Sequence, residues 1–144
     1  MTTPVRRPLY VIGLPRTGTT LLYNLLCQDP EARPLMGWES IFPVPPLDRR
    51  QRPARDWRQA RARGFLQRLH RLAPQLKAVH EIVSDGPEEC TWILHNSFRA
   101  SSFLLQAHVP SYFAYLKSQP REVWRHVYRE YAGALQVLQQ GSSQ

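Results

Sequence analysis

The period of the apolar positions changes several times along the chain, and each change predicts a different element. Leu9-Tyr10-Val11-Ile12 is a contiguous apolar run that stops at Gly13, which predicts a short strand over 9–13. Beyond Pro15 and Gly18 the period becomes helical: Leu21, Leu22, Leu25 and Leu26 predict a helix from about Thr17 to Gln28. Asp29-Pro30 ends it, because proline disfavours helical geometry in the residue before it. Residues 30–53 show no period and carry six prolines, so they read as a connecting segment over the surface beside the glycine-bounded loop. Within that segment Met36-Gly37-Trp38-Glu39-Ser40-Ile41-Phe42 is apolar except for one carboxylate.

Helices dominate the remainder. Trp57, Ala60, Phe65, Leu69 and Leu72 approximate an apolar stripe on a helix from Ala54 to about Ala73, with Arg55, Arg58, Arg61, Arg63, Arg68 and Arg71 over the rest. Ser84-Asp85-Gly86 is turn chemistry. Pro87 suits a first helical position and Glu88 and Glu89 suit a helix N-terminus, opening a helix through Cys90, Ile93, Leu94 and Ser97. The apolar stretch 98–108 is expected to be helical, Pro110 to open a short helix and Pro120 a long one to about Gln140. The long helix places Trp124, Val127, Tyr128, Tyr131, Leu135 and Leu138 on one side, and Gly141 to Gln144 is a stop.

Between the predicted strand and first helix lies the sequence Gly13-Leu14-Pro15-Arg16-Thr17-Gly18-Thr19-Thr20. A strand, a glycine-bounded turn and a helix N-terminus together make an anion cradle. Glycine lets the backbone approach a ligand, and the free N–H groups of the first helical turn point at it, assisted by the helix dipole. Thr17, Thr19 and Thr20 add hydroxyls, and Arg16 adds the one fixed positive charge in the loop. The glycine spacing matches a nucleotide-binding P-loop, but Thr19 stands where a nucleoside triphosphatase carries lysine. The residues therefore point to phosphate or sulfate.

The run YVIGLPRTGTTLLYNLL resembles the 5′-phosphosulfate loop of sulfotransferases, in the form Pro-Arg-Ser/Thr-Gly-Thr-Thr. His80-Glu81, Asp85 to Cys90 and Leu135 to Gln139 are similar to landmarks of a bacterial-type group of that family. The resemblance implies an α/β, P-loop NTPase-like sulfotransferase fold, of which residues 1–144 are the N-terminal portion. Residues 9–28 would be its strand, 5′-phosphosulfate loop and helix, 30–53 its Pro-rich substrate-side loop and 54–140 a helical region. One strand cannot make a sheet, so the remaining strands are expected beyond Gln144, together with the Arg and Ser that hold the cofactor's 3′-phosphate in the family.

The implied reaction moves a sulfuryl group from 3′-phosphoadenosine 5′-phosphosulfate (PAPS) to a hydroxyl or amine. By analogy with phosphoryl transfer it needs positioning, charge stabilisation and a base. Pro15, Arg16, Thr17, Gly18, Thr19 and Thr20 are the cofactor-binding candidates, with Arg16 also stabilising charge on the leaving oxygen. Glu39 is the candidate base: its neighbours Trp38, Ile41 and Phe42 would desolvate it, and a glutamate at nearly this distance serves as base in tyrosine-directed sulfotransferases. His80 and Glu81 are the alternatives, since histidine is the usual base in cytosolic members. Each of these three has an ordinary reading as well, as a surface carboxylate or a capping or salt-bridging loop pair.

Composition narrows the partners. At 144 residues with 42% hydrophobic side chains the chain is one globular domain at most, and no apolar run reaches the ~20 residues that cross a bilayer. The N-terminus lacks the long apolar stretch of a signal peptide, so a cytoplasmic protein without stable membrane insertion is expected. Cys27 and Cys90 offer neither ligand spacing nor a disulfide framework, and the five histidines are scattered; no metal is expected. The net charge of +8 comes almost wholly from arginine without a compact basic-aromatic motif, which reads as solvated helix faces rather than a nucleic-acid site. The acceptor is expected to be a small or lipid-like molecule. Two other functions compete: a non-catalytic fragment or basic binding protein with a vestigial anion loop, and a kinase-like P-loop nucleotide enzyme.

Overall fold

The computed structural model describes residues 4–14, 17–44, 56–79 and 82–140. The expectations for Pro15, Arg16, His80 and Glu81, for the prolines and helix start within 45–55, and for the tail 141–144 lie outside the described residues. Among the described residues the regular elements are eight helices: α1 (Thr19–Leu26), α2 (Gly37–Ile41), α3 (Trp57–Leu72), α4 (Leu76–Val79), α5 (Thr91–His95), α6 (Phe103–Gln106), α7 (Pro110–Ser118) and α8 (Arg121–Gln140).

The core forms where α2, α5 and α8 converge. Leu35, Ile93, Tyr131 and Leu138 are buried together, with Cys90, Leu94, Ala134 and Leu135 packed around them. α3 closes over α2 through the pair Ala62 and Leu66, both buried. The segment before α2 is held by the turn ahead of α5: Gly37 and Trp38 donate N–H bonds to the carbonyls of Gly86 and Ser84 (both 2.9 Å), and Glu88 donates to Leu35 (2.8 Å). Met36 and Pro87 thus form an isolated antiparallel bridge.

Several expectations change at this level. Leu9 to Gly13 has no regular secondary structure, and no strand is present among the described residues. A strand exists only through a ladder to its neighbour, and no described segment forms one with this stretch. Leu9, Tyr10 and Ile12 are exposed, Ile12 at 91%, and α1 likewise buries none of its residues. Pro87 does not open a helix: it sits in the bridge to Met36, and α5 begins at Thr91. Of the apolar stretch 98–108 only Phe103–Gln106 is helical, since Phe98 takes a left-handed φ of 52° that ends the preceding turn.

The face of α3 is rotated from the one its apolar residues suggest. Arg58, Ala62 and Leu66 are buried, four residues apart, while Trp57, Phe65 and Leu72 are exposed. Arg58 goes inside because its charge is met there. Its guanidinium is forked onto Asp56 (Nη2–Oδ2 2.5 Å, Nε–Oδ1 2.9 Å) and lies 4.6 Å over the Trp38 ring. Asp56 also caps α3 by accepting the Arg58 backbone N–H, and this arginine holds its carboxyl below the usual carboxylate range. The long helix follows its pattern better: Val127, Tyr131 and Leu138 are buried, though Tyr128 is exposed.

Candidate active site

On either side of Pro15 and Arg16, the described residues leading to α1 make close local contacts. Gly13 is pressed against the side chains that follow, so a Cβ there would lie 2.6 Å from Thr19 Cγ2 and 3.0 Å from Thr17 Oγ1. Thr17 Oγ1 donates to the Leu14 carbonyl (2.6 Å), closing the turn from the inside. Gly18, with φ 84°, is the N-cap of α1, a left-handed conformation that costs a residue with a Cβ about 1–2 kcal/mol. Leu22 N–H bonds the Gly18 carbonyl (3.0 Å), the first hydrogen bond of the helix. No side chain caps α1 and no acidic residue occupies its first turn, so its leading N–H groups face outward without a protein acceptor among the described residues. Thr17, Gly18 and Thr20 are exposed beside them. This is donor-rich, carboxylate-free chemistry that suits an anion's oxygens.

Behind the loop, Tyr23 of α1 is turned inward, its hydroxyl facing Cys27 and the backbone of Leu35. Burial pushes both the Tyr23 phenol and the Cys27 thiol up from their ordinary values. Tyr131 of α8 faces Cys90 and Tyr10 in the same way, and burial raises it also. These two tyrosines fasten α1 and the N-terminal segment to the core.

Glu39 has a defined environment. It lies in α2, is 1% exposed, and its carboxylate receives both arms of the Arg33 guanidinium at 2.6 and 2.7 Å. The Met36 N–H donates a third bond at 3.1 Å, so the acid at the third helical position reaches back to the N-cap backbone. Arg33 also donates to the Leu138 carbonyl of α8 (3.2 Å). Trp38, next to it in α2, is buried to 3% exposure with the Arg58 guanidinium over its ring. Among the described residues no hydrogen bond or ion pair joins Glu39 to the loop of Thr17, Gly18, Thr19 and Thr20. Sequence reading singled out Glu39 but missed Arg33; the signal was a lone arginine one turn of chain ahead of an otherwise apolar helix.

A second polar pair went unforeseen. His95 Nε2 is hydrogen-bonded to Ser102 Oγ, with the imidazole stacked on Phe103 (centroids 4.4 Å apart) and edge-on to Trp92 (4.7 Å). Burial lowers the His95 pKa from its ordinary value. Glu88, expected at a helix N-terminus, is buried, and its carboxylate accepts the Glu89 N–H (2.8 Å). No group of three or more His, Cys, Asp or Glu able to hold a metal lies among the described residues. No described helix is long and apolar enough to cross a membrane.

Comparison with known proteins gives this arrangement a context. The crystal structures of sulfotransferase STF1 from Mycobacterium tuberculosis H37Rv and of sulfotransferase STF9 from Mycobacterium avium both superpose on the chain with a TM-score of 0.75 at 30% identity. The alignments cover 94% and 96% of this chain but only 36% and 35% of those proteins, so the chain spans about a third of their length. Comparison with curated proteins returned no significant match. A family model described as the sulfotransferase family matches residues 8–130, taking in the glycine-bounded loop, the Arg33–Glu39 pair and the first half of α8. On that match, which extends over far more than half of its residues, the chain belongs to the sulfotransferase family.

Proposed function

We propose that this chain carries the 5′-phosphosulfate half of a PAPS-dependent sulfotransferase site, serving transfer of a sulfuryl group to a hydroxyl or amine acceptor. The observation that carries the reading is the loop itself. A left-handed Gly18 delivers the uncapped N-terminus of α1 beside exposed threonine hydroxyls, in a chain whose family is established by residues 8–130. Thr17, Gly18, Thr19 and Thr20 would hold the donor's 5′-phosphate through backbone N–H and hydroxyl groups. Pro15 would shape the turn ahead of them. Arg16 would bring the guanidinium that balances charge on the bridging oxygen as the bond to sulfur breaks. Bound PAPS supplies an activated sulfuryl group, so the protein's own work is alignment and charge stabilisation.

Glu39 is the base assigned to this reaction, with His80 and Glu81 as alternatives. Its bidentate pair with Arg33 and its burial mean that an acceptor hydroxyl reaches the carboxylate only when Arg33 swings aside. The partly exposed Arg33, at 32%, has solvent on one side into which to move. A cytoplasmic setting, an acceptor of small or lipid-like character, and completion of the fold and of the 3′-phosphate site by further chain belong to the same proposal.

Titration calorimetry with 3′-phosphoadenosine 5′-phosphate tests the reading directly. Saturable binding without added metal, weakened at least tenfold by Arg16→Ala, is the expected result. Binding that appears only with magnesium and a nucleoside triphosphate would move the chain to the kinase-like alternative. No binding at millimolar ligand would leave the loop vestigial.

A further inference from the structure

The outward side of α8 carries a feature that the sulfuryl-transfer reading does not use. Arg121, Arg125 and Arg129 recur every fourth residue and, with Trp124, Tyr128 and Ala132, line a shallow furrow along the helix. Four residues of α-helix rise about 6 Å, so the three guanidiniums form a nearly straight row. All three arginines are exposed, and none is ion-paired or hydrogen-bonded among the described residues. Of the two acids of the same helix, Glu122 borders the row, directly after Arg121 and three residues before Arg125, so it offsets one of its three charges. Glu130 faces roughly a third of a turn or more away from Arg121, Arg125 and Tyr128 by helical geometry, and it is engaged with His126 at 3.0 Å. The opposite side, Val127, Tyr131 and Leu138, is buried, so this helix cannot roll to hide its arginines.

We propose that this face of α8 docks the protein onto an anionic lipid bilayer surface. The pairing of residue types is the argument. Guanidiniums bind phosphate and carboxylate oxygens in fork geometry, while Trp and Tyr place an apolar ring and a polar edge at headgroup depth. Tyr128, 58% exposed within a basic row, is otherwise an aromatic ring left in water. The partner must be acidic, because the chain is itself at +8 and the row stays net positive, three guanidiniums against the single carboxylate of Glu122. It must also be broad and flat. The furrow is lined by one helix only and has no second wall to track a single nucleic-acid strand, as grooves that bind one have. A bilayer plane meets a straight helix side along its whole length, and attachment is peripheral, since no described helix is able to cross the membrane.

The test is co-sedimentation of the full chain with vesicles of three parts phosphatidylcholine to one part phosphatidylserine, against pure phosphatidylcholine. The expected result is salt-sensitive binding to the anionic vesicles alone. Replacing Arg121, Arg125 and Arg129 together by Gln should lower it by about two orders of magnitude, the loss of three charges at the surface. The exposed arginines Arg61, Arg68 and Arg71 of α3, replaced by Gln, form the charge-matched control and should change binding less than threefold by comparison, a value of the order expected for charges off the surface. Circular dichroism on both triple variants confirms an intact fold. Equal losses in the two triple variants would show general charge attraction and overturn the proposal. Failure to bind anionic vesicles would overturn it too, as would tighter binding to a single-stranded oligonucleotide that the α8 variant abolishes.

Discussion

Arg33 and Glu39 face each other as a two-pronged ion pair, Nη1 to Oε2 at 2.7 Å and Nη2 to Oε1 at 2.6 Å, with the carboxylate out of water and the guanidinium at its edge. Through the bond from Arg33 to the Leu138 carbonyl, the pair ties α2 to the far end of α8, 105 residues on in the chain. Glu39 is therefore a joint of the fold as well as the base we propose, and the two roles separate experimentally. Glu39→Gln keeps the shape but removes the charge that meets Arg33. We expect it to cost about 3 kcal/mol, the low end for breaking a buried pair because Arg33 remains part-hydrated. Denaturant unfolding reads this, and an unchanged midpoint would remove the structural role. In an assay of sulfuryl transfer, loss of turnover with retained 3′-phosphoadenosine 5′-phosphate binding supports the base assignment; near-normal turnover passes it to His80 or Glu81.

Arg58 gives a second expectation from the same physics. Its guanidinium binds Asp56 through two nitrogens, covers Trp38 and reaches the Phe42 carbonyl at 3.4 Å. Lysine keeps the charge but has neither the fork nor the flat face. Arg58→Lys should lower stability by about 2 kcal/mol, as for lost charge-assisted hydrogen bonds at a buried site. Asp56, held below its ordinary pKa first by its hydrogen bond to Arg58, contributes stability that is present above the unfolded value of 3.8 and is lost as pH falls through the lower folded value. Acid unfolding of the variant should therefore begin at higher pH than in the parent, and coincident acid transitions would contradict this.

Two of the three elements expected to open at a proline were legible. Pro110 starts α7, and α8 runs from just after Pro120 to Gln140 as the pattern requires. The helix start behind Gly18 was legible too, because a glycine at a helix N-cap is a local property. What sequence could not reveal was pairing across distance. Nothing local distinguishes Arg58, buried over Trp38, from its exposed neighbours Arg61 and Arg68, so α3 was turned the wrong way. Nor does the sequence show that Pro87 would face Met36 instead of starting a helix. The strand expected at 9–13 depends on a neighbour that no described residue provides, and the exposed apolar side chains of Ile12, Leu14, Leu21 and Leu25 mark where one would pack. In structures about three times longer than this chain, further segments are available to do so.

Gly37 is a position where one methyl group should matter. A Cβ there would lie 2.3 Å from the Val83 carbonyl oxygen and 3.1 Å from that of Ser84, both backbone atoms that cannot rotate away. Gly37→Ala must part α2 from the turn at 84–86 and should destabilise by about 2–3 kcal/mol, the upper range for overpacking. Gly64, inside α3 with open space around its Cβ position, should behave oppositely. Gly64→Ala is expected to stabilise by roughly 0.5–1 kcal/mol through helix propensity. Thermal melts of the two variants should move in opposite directions, and a parallel shift would refute the packing argument.

His95 sets a pH dependence whose sign is fixed by its burial. Desolvation between Trp92 and Phe103 disfavours the imidazolium, so the folded pKa lies below the ordinary 6.5. Above 6.5 the ring is neutral in both states and folding is indifferent to protons. As pH falls below 6.5 the unfolded chain takes up the proton first, and stability declines until pH passes the folded pKa, where the decline from this group ends. His95→Phe keeps the ring stack and removes the titrating group, at the expense of the bond to Ser102. Melting temperatures measured from about pH 7.5 to about pH 5, the range in which histidine titrates, should fall more steeply for the parent than for the variant. Equal slopes would place the acid-sensitive group elsewhere. A variant slope steeper than the parent's would mean that the imidazolium is favoured at this site, contrary to its burial.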